Sequence, residues 1–400
     1  MAENERFDAV VVGGGPAGAT AATDLARRGY RVMLLERGGR IKPCGGAIPP
    51  RLIEEFAIPP QLLVARIRSA RMVSPAGRCV DMPINGGFVG MVDRDAFDPW
   101  LRDRARSAGA EVRTGTFEQL QDGTDGGVTV SYRHSDGRGR KVRSRVHAAA
   151  VIGADGARSA VARQRVPGAD QTRYVTAYHE IVESPRTTDA ADFEPGRCDV
   201  WYQGRLSPDF YAWVFPHGDK TSIGVGTARR GFSLRGAVAE LRRSVGMHGS
   251  STIRCEGAPI PLRPLKRWDD GRNVVLAGDA AGVVAPASGE GIYYAMTGGR
   301  LAASAVAAFL TSGEPAALGT ARRQFMRQHG RVFWILRIME RFWYASDRRR
   351  ERFVSMCRDP DVQYLTWEAY MHKRLVRARP AAHMRIFFKD LAHLFGVVRP

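Results

Sequence analysis

The sequence predicts an α/β protein that combines a Rossmann-like domain with an antiparallel sheet and a basic helical C-terminal region. Three apolar strands, ending near Val12, Ile152 and Ala277, each run into a glycine-rich turn, which is typical of parallel strands in α/β folds. Residues 172–260 consist mainly of strand-like runs instead. We therefore expect one domain from residues 1–165 and 269–320, a second from 166–268, and a helical extension over 321–400.

The first strand and its turn have the pattern of a dinucleotide site. The sequence predicts a buried strand over Phe7–Val12 and a helix over Pro16–Arg28, which opens on a proline. Gly13, Gly15 and Gly18 form G-x-G-x-x-G. In this motif the glycines close the turn, admit a pyrophosphate to the backbone and let helix and strand pack. The N–H groups at the helix start would face the phosphates.

The second strand and the loop after it extend this site. The strand Arg31–Leu35 ends at Glu36, 18 residues after Gly18, where a carboxylate can accept hydrogen bonds from both hydroxyls of an adenosine ribose. Residues 37–50 contain so many Gly and Pro that we expect a loop held near the bound group. Its Cys44-Gly45-Gly46 lets the backbone approach a flat group, or Cys44 packs as a small buried hydrophobe.

A helix and a second glycine-rich turn follow. Asp93 is placed to be the N-cap of this helix, and Arg94 in its first turn either reaches a cofactor or is solvated. The buried strand Ala148–Ile152 ends in a turn where Asp155 and Gly156 offer a carboxylate and a backbone N–H surface. Further strands are expected at 67–82, which includes a turn, and at 112–120, 127–133 and 142–146.

The run from Thr172 to Ile260 predicts a separate antiparallel sheet with one open face for a substrate. On the strand Tyr211–Phe215, the period of two puts Tyr211, Trp213 and Phe215 on one face. Three aromatic rings in a row either wall a long apolar pocket or pack as ordinary core. The other elements expected here are strands at 175–182, 197–202 and 222–227 and a helix at 234–245.

The third strand, Asn273–Ala277, ends at Gly278 and Asp279, whose carboxylate can bind ribityl or ribose hydroxyls. The helix Gly291–Phe309 follows, and its start can face a phosphate or a flavin carbonyl. Three strand-end sites spread over the chain indicate an extended cofactor, FAD rather than NAD. The residues expected to bind it are Gly13, Gly15, Ala17, Gly18, Glu36, Arg37, Cys44, Gly45, Gly46, Ala47, Arg94, Asp155, Gly156, Gly278, Asp279, Gly289 and Gly291.

The cysteines, the N-terminus and the apolar runs bear on the cellular compartment of the protein. Five scattered cysteines include no CxxC pair, which indicates a reducing compartment and no metal site. The polar N-terminus does not have the pattern of a signal peptide. The longest apolar run, Leu301–Leu310, is too short to span a bilayer.

The last 80 residues are strongly basic. They hold 18 Lys and Arg against 7 Asp and Glu, and so carry more than half of the net charge of +19. Aromatic residues stand among these arginines, notably Trp334, Trp343, Phe387 and Phe395. Such helices either pack in a core or lie on an anionic membrane. We expect a peripheral protein on the cytoplasmic side of a membrane, and no nucleic-acid partner, because no nucleic-acid-binding signature is present.

Together these motifs resemble those of a flavoprotein superfamily. Gly13–Gly18, Gly153–Gly156 and Gly278-Asp279 are similar to the FAD-binding motifs of the aromatic hydroxylases, which implies their Rossmann-like fold with a substrate domain. Within it, Pro43–Ala47 and Tyr211–Pro216 resemble the geranylgeranyl reductases.

One branch of these reductases is the most similar. Lys42–Pro50 and the Trp-rich basic tail resemble the chlorophyll and bacteriochlorophyll branch. The resemblance implies reduction of a geranylgeranyl chain to phytyl, on the pigment ester or the diphosphate, with NADPH as reductant through FAD. We then expect the chain to contact Gly45, Tyr211, Trp213 and Phe215. Cys44 or Tyr211 would be catalytic as proton donor, since thiols and phenols are protonated at neutral pH.

Other functions stay open from the sequence. One is an FAD-dependent monooxygenase or halogenase of the same fold, although the W-x-W-x-I-P segment of such halogenases is not seen. Another is reduction of a different isoprenoid lipid. A third is a non-catalytic flavin carrier or scaffold that works with pigment-synthesis proteins.

Overall fold

A computed structural model of the protein describes residues 5–39, 41–185 and 192–373. The helices are α1 (Pro16–Ala26), α2 (Pro50–Glu55), α3 (Arg94–Ser107), α4 (Ala160–Arg165), α5 (Leu234–Ser244), α6 (Ile292–Ser312), α7 (Thr320–Trp343), α8 (Asp347–Met356) and α9 (Pro360–Met371). The strands are β1 (Arg6–Val12), β2 (Val32–Glu36), β3 (Ala47–Ile48), β4 (Ala65–Ile67), β5 (Ser69–Val73), β6 (Cys79–Pro83), β7 (Val89–Met91), β8 (Glu111–Thr114), β9 (Thr116–Asp122), β10 (Val128–Ser135), β11 (Lys141–Gly153), β12 (Tyr174–Glu183), β13 (Arg197–Trp201), β14 (Ala212–His217), β15 (Lys220–Thr227), β16 (Thr252–Pro261) and β17 (Val274–Leu276).

These elements group into two units, each made of separate chain segments. The first unit takes its described residues from Met1–Lys42, Asp95–Tyr174 and Pro259–Trp334. The second takes them from Pro43–Arg94, Val175–Ala258 and the chain from Ile335 onward. Residues 43–94, which we expected within the nucleotide-binding domain, therefore group with the antiparallel sheet. The reason is a long-range pairing, because β5 runs parallel to β13 in that sheet.

The first unit is built on a parallel sheet. Strands β8, β2, β1 and β11 lie in this order, and β17 pairs with β11. The central strand β1 pairs in parallel with both β2 and β11. Its residues Val10 and Val11 are fully buried, as are Leu34 of β2 and Ile152 of β11. Buried parallel strands of this kind, with helices between them, confirm the predicted Rossmann-like fold.

Two strand predictions in this unit were wrong in detail. The segment 112–120 is not one strand but β8 and β9, divided at Gly115, whose N–H donates to the carbonyl of Glu36 at 2.8 Å. The segments 142–146 and 148–152 are one strand, β11. It pairs antiparallel with β10 along its first part and parallel with β1 further on. Neither the break at Gly115 nor the length of β11 can be predicted from the local sequence, because each depends on the partner strand.

The second unit contains a mainly antiparallel sheet with two different faces. The strand order is β16-β12-β15-β14-β13-β5-β6, in which β12 to β15 include the four strands expected here. Val214 of β14 and Ile223 of β15 pack with Val238 and Leu241 of α5 in one buried cluster. Because side chains alternate across a strand, Trp213 and its neighbours two residues away point to the opposite face. A small sheet, β3-β7-β4, completes this unit.

The described part of the C-terminal region buries some of its aromatic side chains and exposes others. Phe333 and Trp343 of α7 are buried, whereas the Trp334 side chain is 63% exposed. Phe387 and Phe395, which were expected to contact a membrane, lie outside the described residues. Within residues 5–39, 41–185 and 192–373, no helix is long and apolar enough to cross a membrane.

Contact between α1 and α6 depends on glycine at one position. A Cβ at Gly299 would lie 2.1 Å from the carbonyl oxygen of Ala17, whereas at Gly298 the nearest atom would be 3.5 Å away. We expect Gly299→Ala to lower the free energy of unfolding by about 1–3 kcal/mol, because backbone atoms cannot move aside. Gly298→Ala should be neutral or gain up to about 1 kcal/mol of helix propensity. Denaturant unfolding of both variants would measure this, and equal stabilities would contradict it.

Candidate functional site

The glycine-rich turn after β1 is closed by contacts that admit no side chain. Gly13 has a φ of +104°, and a Cβ there would lie 2.3 Å from the carbonyl oxygen of Ala154. A Cβ at Gly18 would lie 1.8 Å from the carbonyl oxygen of Gly13. Strand, turn and helix therefore approach as closely as the G-x-G-x-x-G motif requires.

The start of α1 is suited to bind an anion. Its N-cap is Gly15, which has no side chain to accept from the first N–H groups, and Pro16 occupies the first turn. That turn contains no acidic residue, and almost every residue of α1 is buried. Buried helix N–H groups need acceptors, and the phosphates of a dinucleotide are such acceptors. The residues present thus fit the pyrophosphate of FAD.

Glu36 lies directly at this turn. Its Oε2 accepts a hydrogen bond from the Gly14 N–H at 2.5 Å, and Arg102 of α3 donates to the Gly14 carbonyl at 3.3 Å. The N–H and the carbonyl of Gly14 are therefore each held by a side chain. The sequence predicted the position of Glu36 but gave no signal for Arg102, which comes from the distant helix α3.

Asp155 caps a helix. Its carboxylate accepts hydrogen bonds from the Ser159 hydroxyl at 2.5 Å and from the N–H groups of Ala160 and Val161 at 2.6 and 3.2 Å. Burial raises the pKa of this carboxyl, and the hydrogen bonds only partly offset the rise. The Asp155 side chain thus stabilises the second turn through these hydrogen bonds. In this turn Gly156 has a φ of +85°.

The third strand end brings an ion pair that the sequence did not indicate. Asp279, in the turn after β17, lies 2.5 Å from Nζ of Lys42. The Asp279 side chain is nearly buried, so its charge needs this partner. A Cβ at Gly278 would lie 2.7 Å from that of Ala17, which makes the contact with α1 close. The ends of β1, β2 and β17 therefore carry the expected residues at one edge of a parallel sheet, where α/β proteins bind ligands.

The remaining expected cofactor residues occupy varied environments. Gly289, with a φ of +65°, precedes Gly291, the N-cap of α6. Arg37 is exposed, whereas Arg94 is buried at the start of α3.

The segment Pro43–Ala47 of the second unit, here called the cysteine loop, is fixed by a buried histidine. His217 at the end of β14 lies with Nδ1 2.8 Å from Oδ1 of Asp93 and Nε2 3.2 Å from the carbonyl oxygen of Gly45. A Cβ at Gly46, whose φ is +73°, would lie 2.4 Å from Cε1 of His217. The imidazole ring thus occupies the space that a side chain at residue 46 would need.

Asp93, the partner of His217, is held in its ionised form. Burial acts to raise the pKa of Asp93, but the hydrogen bond and charge of His217, with the charges of Lys220 and Arg254, lower it below its usual value. Asp93 is therefore an ionised carboxylate at neutral pH, and the Gly45 carbonyl can only accept. The buried ring of His217 thus lies between two acceptors, a carboxylate and a peptide carbonyl.

The cysteine loop lies against the predicted aromatic residues. The Gly46 N–H points to Sγ of Cys44 at 3.4 Å, and a Cβ at Gly45 would lie 3.1 Å from the Phe215 ring. Ring centroids are 6.0 Å apart for Tyr211 and Trp213 and 6.2 Å apart for Trp213 and Phe215. These three residues, here called the aromatic row, share one face as the alternation predicts.

His217 was not predicted from the sequence, although the spacing of the aromatic residues on its strand contains a signal for it. Tyr211, Trp213 and Phe215 recur with a period of two, and His217 is the next position in that series. Asp93, which was expected to be a helix N-cap, directly precedes α3, and its carboxylate binds His217 and lies 3.8 Å from Nζ of Lys220. That pairing joins residues 124 positions apart, which local patterns do not reveal.

Comparisons with known proteins define the class. Residues 65–329 match the FAD binding domain family, and residues 11–51 match an NAD(P)-binding Rossmann-like domain. Solved structures with this fold include a geranylgeranyl bacteriochlorophyll reductase-like protein from Thermoplasma acidophilum, with a TM-score of 0.78 at 21% identity over 94% of this chain and 99% of that one. A flavin-dependent brominase also matches, with a TM-score of 0.72 at 15% identity over 96% and 99%. The chain is thus a flavoprotein of the aromatic-hydroxylase and halogenase fold.

Sequence relatives narrow this class to one family. The chain is 57% identical to the geranylgeranyl diphosphate reductase of Rhodobacter capsulatus over 99% of both chains. It is 35% identical to the chloroplastic geranylgeranyl diphosphate reductase of Oryza sativa, over 98% of this chain and 87% of that protein. The chain belongs to the geranylgeranyl reductase family of FAD-dependent oxidoreductases.

The buried ring of His217 should control how accessible Cys44 is. We expect His217→Ala to speed alkylation of the Cys44 thiol by iodoacetamide about three- to tenfold, because the cysteine loop loses its hydrogen bond to a buried ring. Peptide mass spectrometry would give the rates, with the exposed Cys79 on β6 as the internal control. An unchanged Cys44 rate would show that the loop holds its position without His217.

Proposed function

We propose that this protein is an FAD-dependent reductase that saturates isolated double bonds of a geranylgeranyl chain to give phytyl. The substrate is the (bacterio)chlorophyll ester or geranylgeranyl diphosphate, in photosynthetic pigment synthesis. The supporting observation is the cysteine loop, which His217 fixes against Phe215 of the aromatic row. This arrangement occurs in a chain 57% identical to a geranylgeranyl diphosphate reductase.

The first unit is proposed to hold FAD. Glu36 would accept from the adenosine ribose, the start of α1 would bind the pyrophosphate, and Asp279 with Lys42 would contact the ribityl side. Bound, reduced FAD supplies hydride for such reductions. That Cys44, Gly45, Gly46, Ala47 and Arg94 also bind the cofactor stays a prediction from the sequence, whereas Asp155 is proposed to act through the shape of its turn.

NADPH is proposed as the source of electrons. The residues that match an NAD(P)-binding domain, 11–51, coincide with the turn assigned here to FAD. These residues are therefore assigned to FAD, and they are not taken as a separate NADPH site.

The second unit is proposed to bind the isoprenoid and to supply a proton. The aromatic row and Gly45 give an apolar surface, which excludes water and aligns a flexible chain. An isolated alkene accepts hydride poorly unless a proton reaches the other carbon in the same step. Cys44 is the proposed donor because the Gly46 N–H orients its sulfur at the surface of the loop. Tyr211 is the alternative donor.

A membrane contact is proposed at one face of α7. Trp334 is 63% exposed, and Arg327 and Arg331 are exposed seven and three residues before it, on the same side of the helix. An exposed indole beside two guanidinium groups suits an anionic lipid surface. The protein would then be peripheral, on the cytoplasmic side, near other pigment-synthesis proteins.

Turnover without oxygen tests the function directly. We expect the purified FAD-bound protein, with NADPH and no oxygen, to add hydrogen in steps of two to geranylgeranyl diphosphate or to a geranylgeranyl pigment ester. Mass spectrometry of the products would follow this. A requirement for oxygen would support a monooxygenase or halogenase, which the brominase structure favours only at the level of the fold. No turnover with any reductant would contradict the proposal.

Removal of the proposed donor tests the mechanism. We expect Cys44→Ala to retain FAD but to slow reduction on the order of 10²-fold, the usual contribution of a general acid. Products should stop at the dihydro or tetrahydro stage. Cys79→Ala is the matched control, since that exposed cysteine lies on β6. If Cys44→Ala keeps the wild-type rate and product pattern while Tyr211→Phe does not, the donor is Tyr211.

The membrane proposal makes its own prediction. We expect Trp334→Ser to weaken binding to vesicles of mixed phosphatidylglycerol and phosphatidylcholine about tenfold, because an indole is no longer buried in the interface. Raised salt should weaken wild-type binding as well. Ile253→Ser is the control, because Ile253 is 49% exposed but lies on β16. Equal losses in both variants would contradict a specific surface on α7.

A further inference from the structure

The indole of Trp213, at the centre of the aromatic row, is held by three polar side chains from other strands. Its Nε1 donates to Oγ of Ser222 at 3.1 Å. That oxygen lies 2.9 Å from Nδ1 of His179, whose Nε2 lies 3.1 Å from Oε2 of Glu256. Ser222 and His179 are buried, and the Glu256 side chain is 11% exposed. We call these three residues, Ser222, His179 and Glu256, the polar chain.

A glycine on the neighbouring strand leaves room for the same indole to lie on the sheet. Trp213 is directly opposite Gly224 of β15, and Gly224 is directly opposite His179 of β12. A Cβ at Gly224 would lie 2.2 Å from Cζ2 of Trp213 and 2.6 Å from the Cβ of His179. The missing side chain therefore lets the indole lie across β15 toward His179.

The chemistry of each group sets the direction of these hydrogen bonds. Arg254 lies 2.5 Å from Oε1 of Glu256, which favours an ionised carboxylate that can only accept. Nε2 of His179 therefore carries a proton and donates to Glu256. The indole can only donate, so Ser222 accepts from it and can donate its own proton to Nδ1 of His179. Removal of any member leaves a buried polar atom without its partner.

We propose that Ser222, His179 and Glu256 are positioning residues for the reaction, and that they act by fixing the plane of the Trp213 indole. This rests on the proposed function, in which Trp213 forms part of the wall along the isoprenoid. The polar chain ends on an indole N–H, which is not an acid under these conditions, so it delivers no proton. Its effect is on alignment, and therefore on substrate affinity and on how many double bonds are reduced before release.

The first test needs no substrate. The FAD-bound protein is labelled with 15N in its tryptophans, and the Trp213 indole signal is the one that disappears in Trp213→Phe. We expect Ser222→Ala and Glu256→Ala to shift this signal and to speed its hydrogen exchange about three- to tenfold, as loss of a buried hydrogen bond implies. Glu256→Gln should stay near wild type, because its amide oxygen still accepts from His179. An unmoved signal in both alanine variants would overturn the proposal.

The second test is a double-mutant cycle with substrate. We expect Ser222→Ala to raise KM about three- to tenfold and to increase the share of partly reduced products. In the Trp213→Phe background, which has no indole N–H, the same change should alter KM by less than about twofold. Equal effects in both backgrounds would show a general structural role and overturn the proposal.

Two further controls keep the outcome unambiguous. If Ser222→Ala does not fold, Glu256→Ala carries both tests, because its side chain lies at the edge of the buried region. FAD content should equal that of wild type in every variant. Absence of turnover by the wild type would count against the proposed function, whereas the indole signal tests the positioning of Trp213 independently of it.

Discussion

Close approach to the glycine backbone, at positions where a Cβ would fit tightly or not at all, is the constraint on which both candidate sites depend. In the first unit, Gly18 meets the Gly13 carbonyl, and this contact brings the start of α1 to the end of β1. In the second unit, Gly45 lies on the Phe215 ring and Gly224 lies under the Trp213 indole. Each contact replaces a side chain by a surface that a planar or phosphorylated ligand can approach. The glycines therefore determine the shape of the sites, and the surrounding polar groups determine their charge.

The carboxylates show how the surroundings assign different roles to one chemical group. The Asp155 carboxylate accepts three hydrogen bonds from its own turn and from the start of α4, so its oxygens are hydrogen-bonded within this segment of the chain. Asp93 pairs with the buried ring of His217, which fixes a loop 48 residues earlier in the chain through the Gly45 carbonyl. The Glu36 carboxylate accepts from the Gly14 N–H through Oε2, and it is the group proposed to accept from the ribose. Spacing in the sequence indicates where acids stand, but only the contacts separate these roles.

Local patterns predicted the parts of the fold that depend on neighbours in sequence. The strand ends at Val12, Glu36 and Leu276 follow from apolar runs that meet Gly-rich turns, and the aromatic row follows from a period of two. The grouping of residues 43–94 with the second unit could not be predicted in this way, because it depends on the pairing of β5 with β13. The roles of Lys42, Arg102 and His217 were missed for the same reason: their partners lie 237, 88 and 172 positions away.

The two faces of the antiparallel sheet explain how one strand serves both stability and binding. On β14, Ala212 and Val214 pack into the buried cluster with α5, so their contribution is to folding. Trp213, Phe215 and His217 alternate with them and face the cysteine loop or the polar chain. A shift of register by one residue would exchange these faces and bury the polar ring of His217 against α5. The packing of α5 therefore fixes the register of β14, and through it the orientation of the residues proposed to bind the isoprenoid.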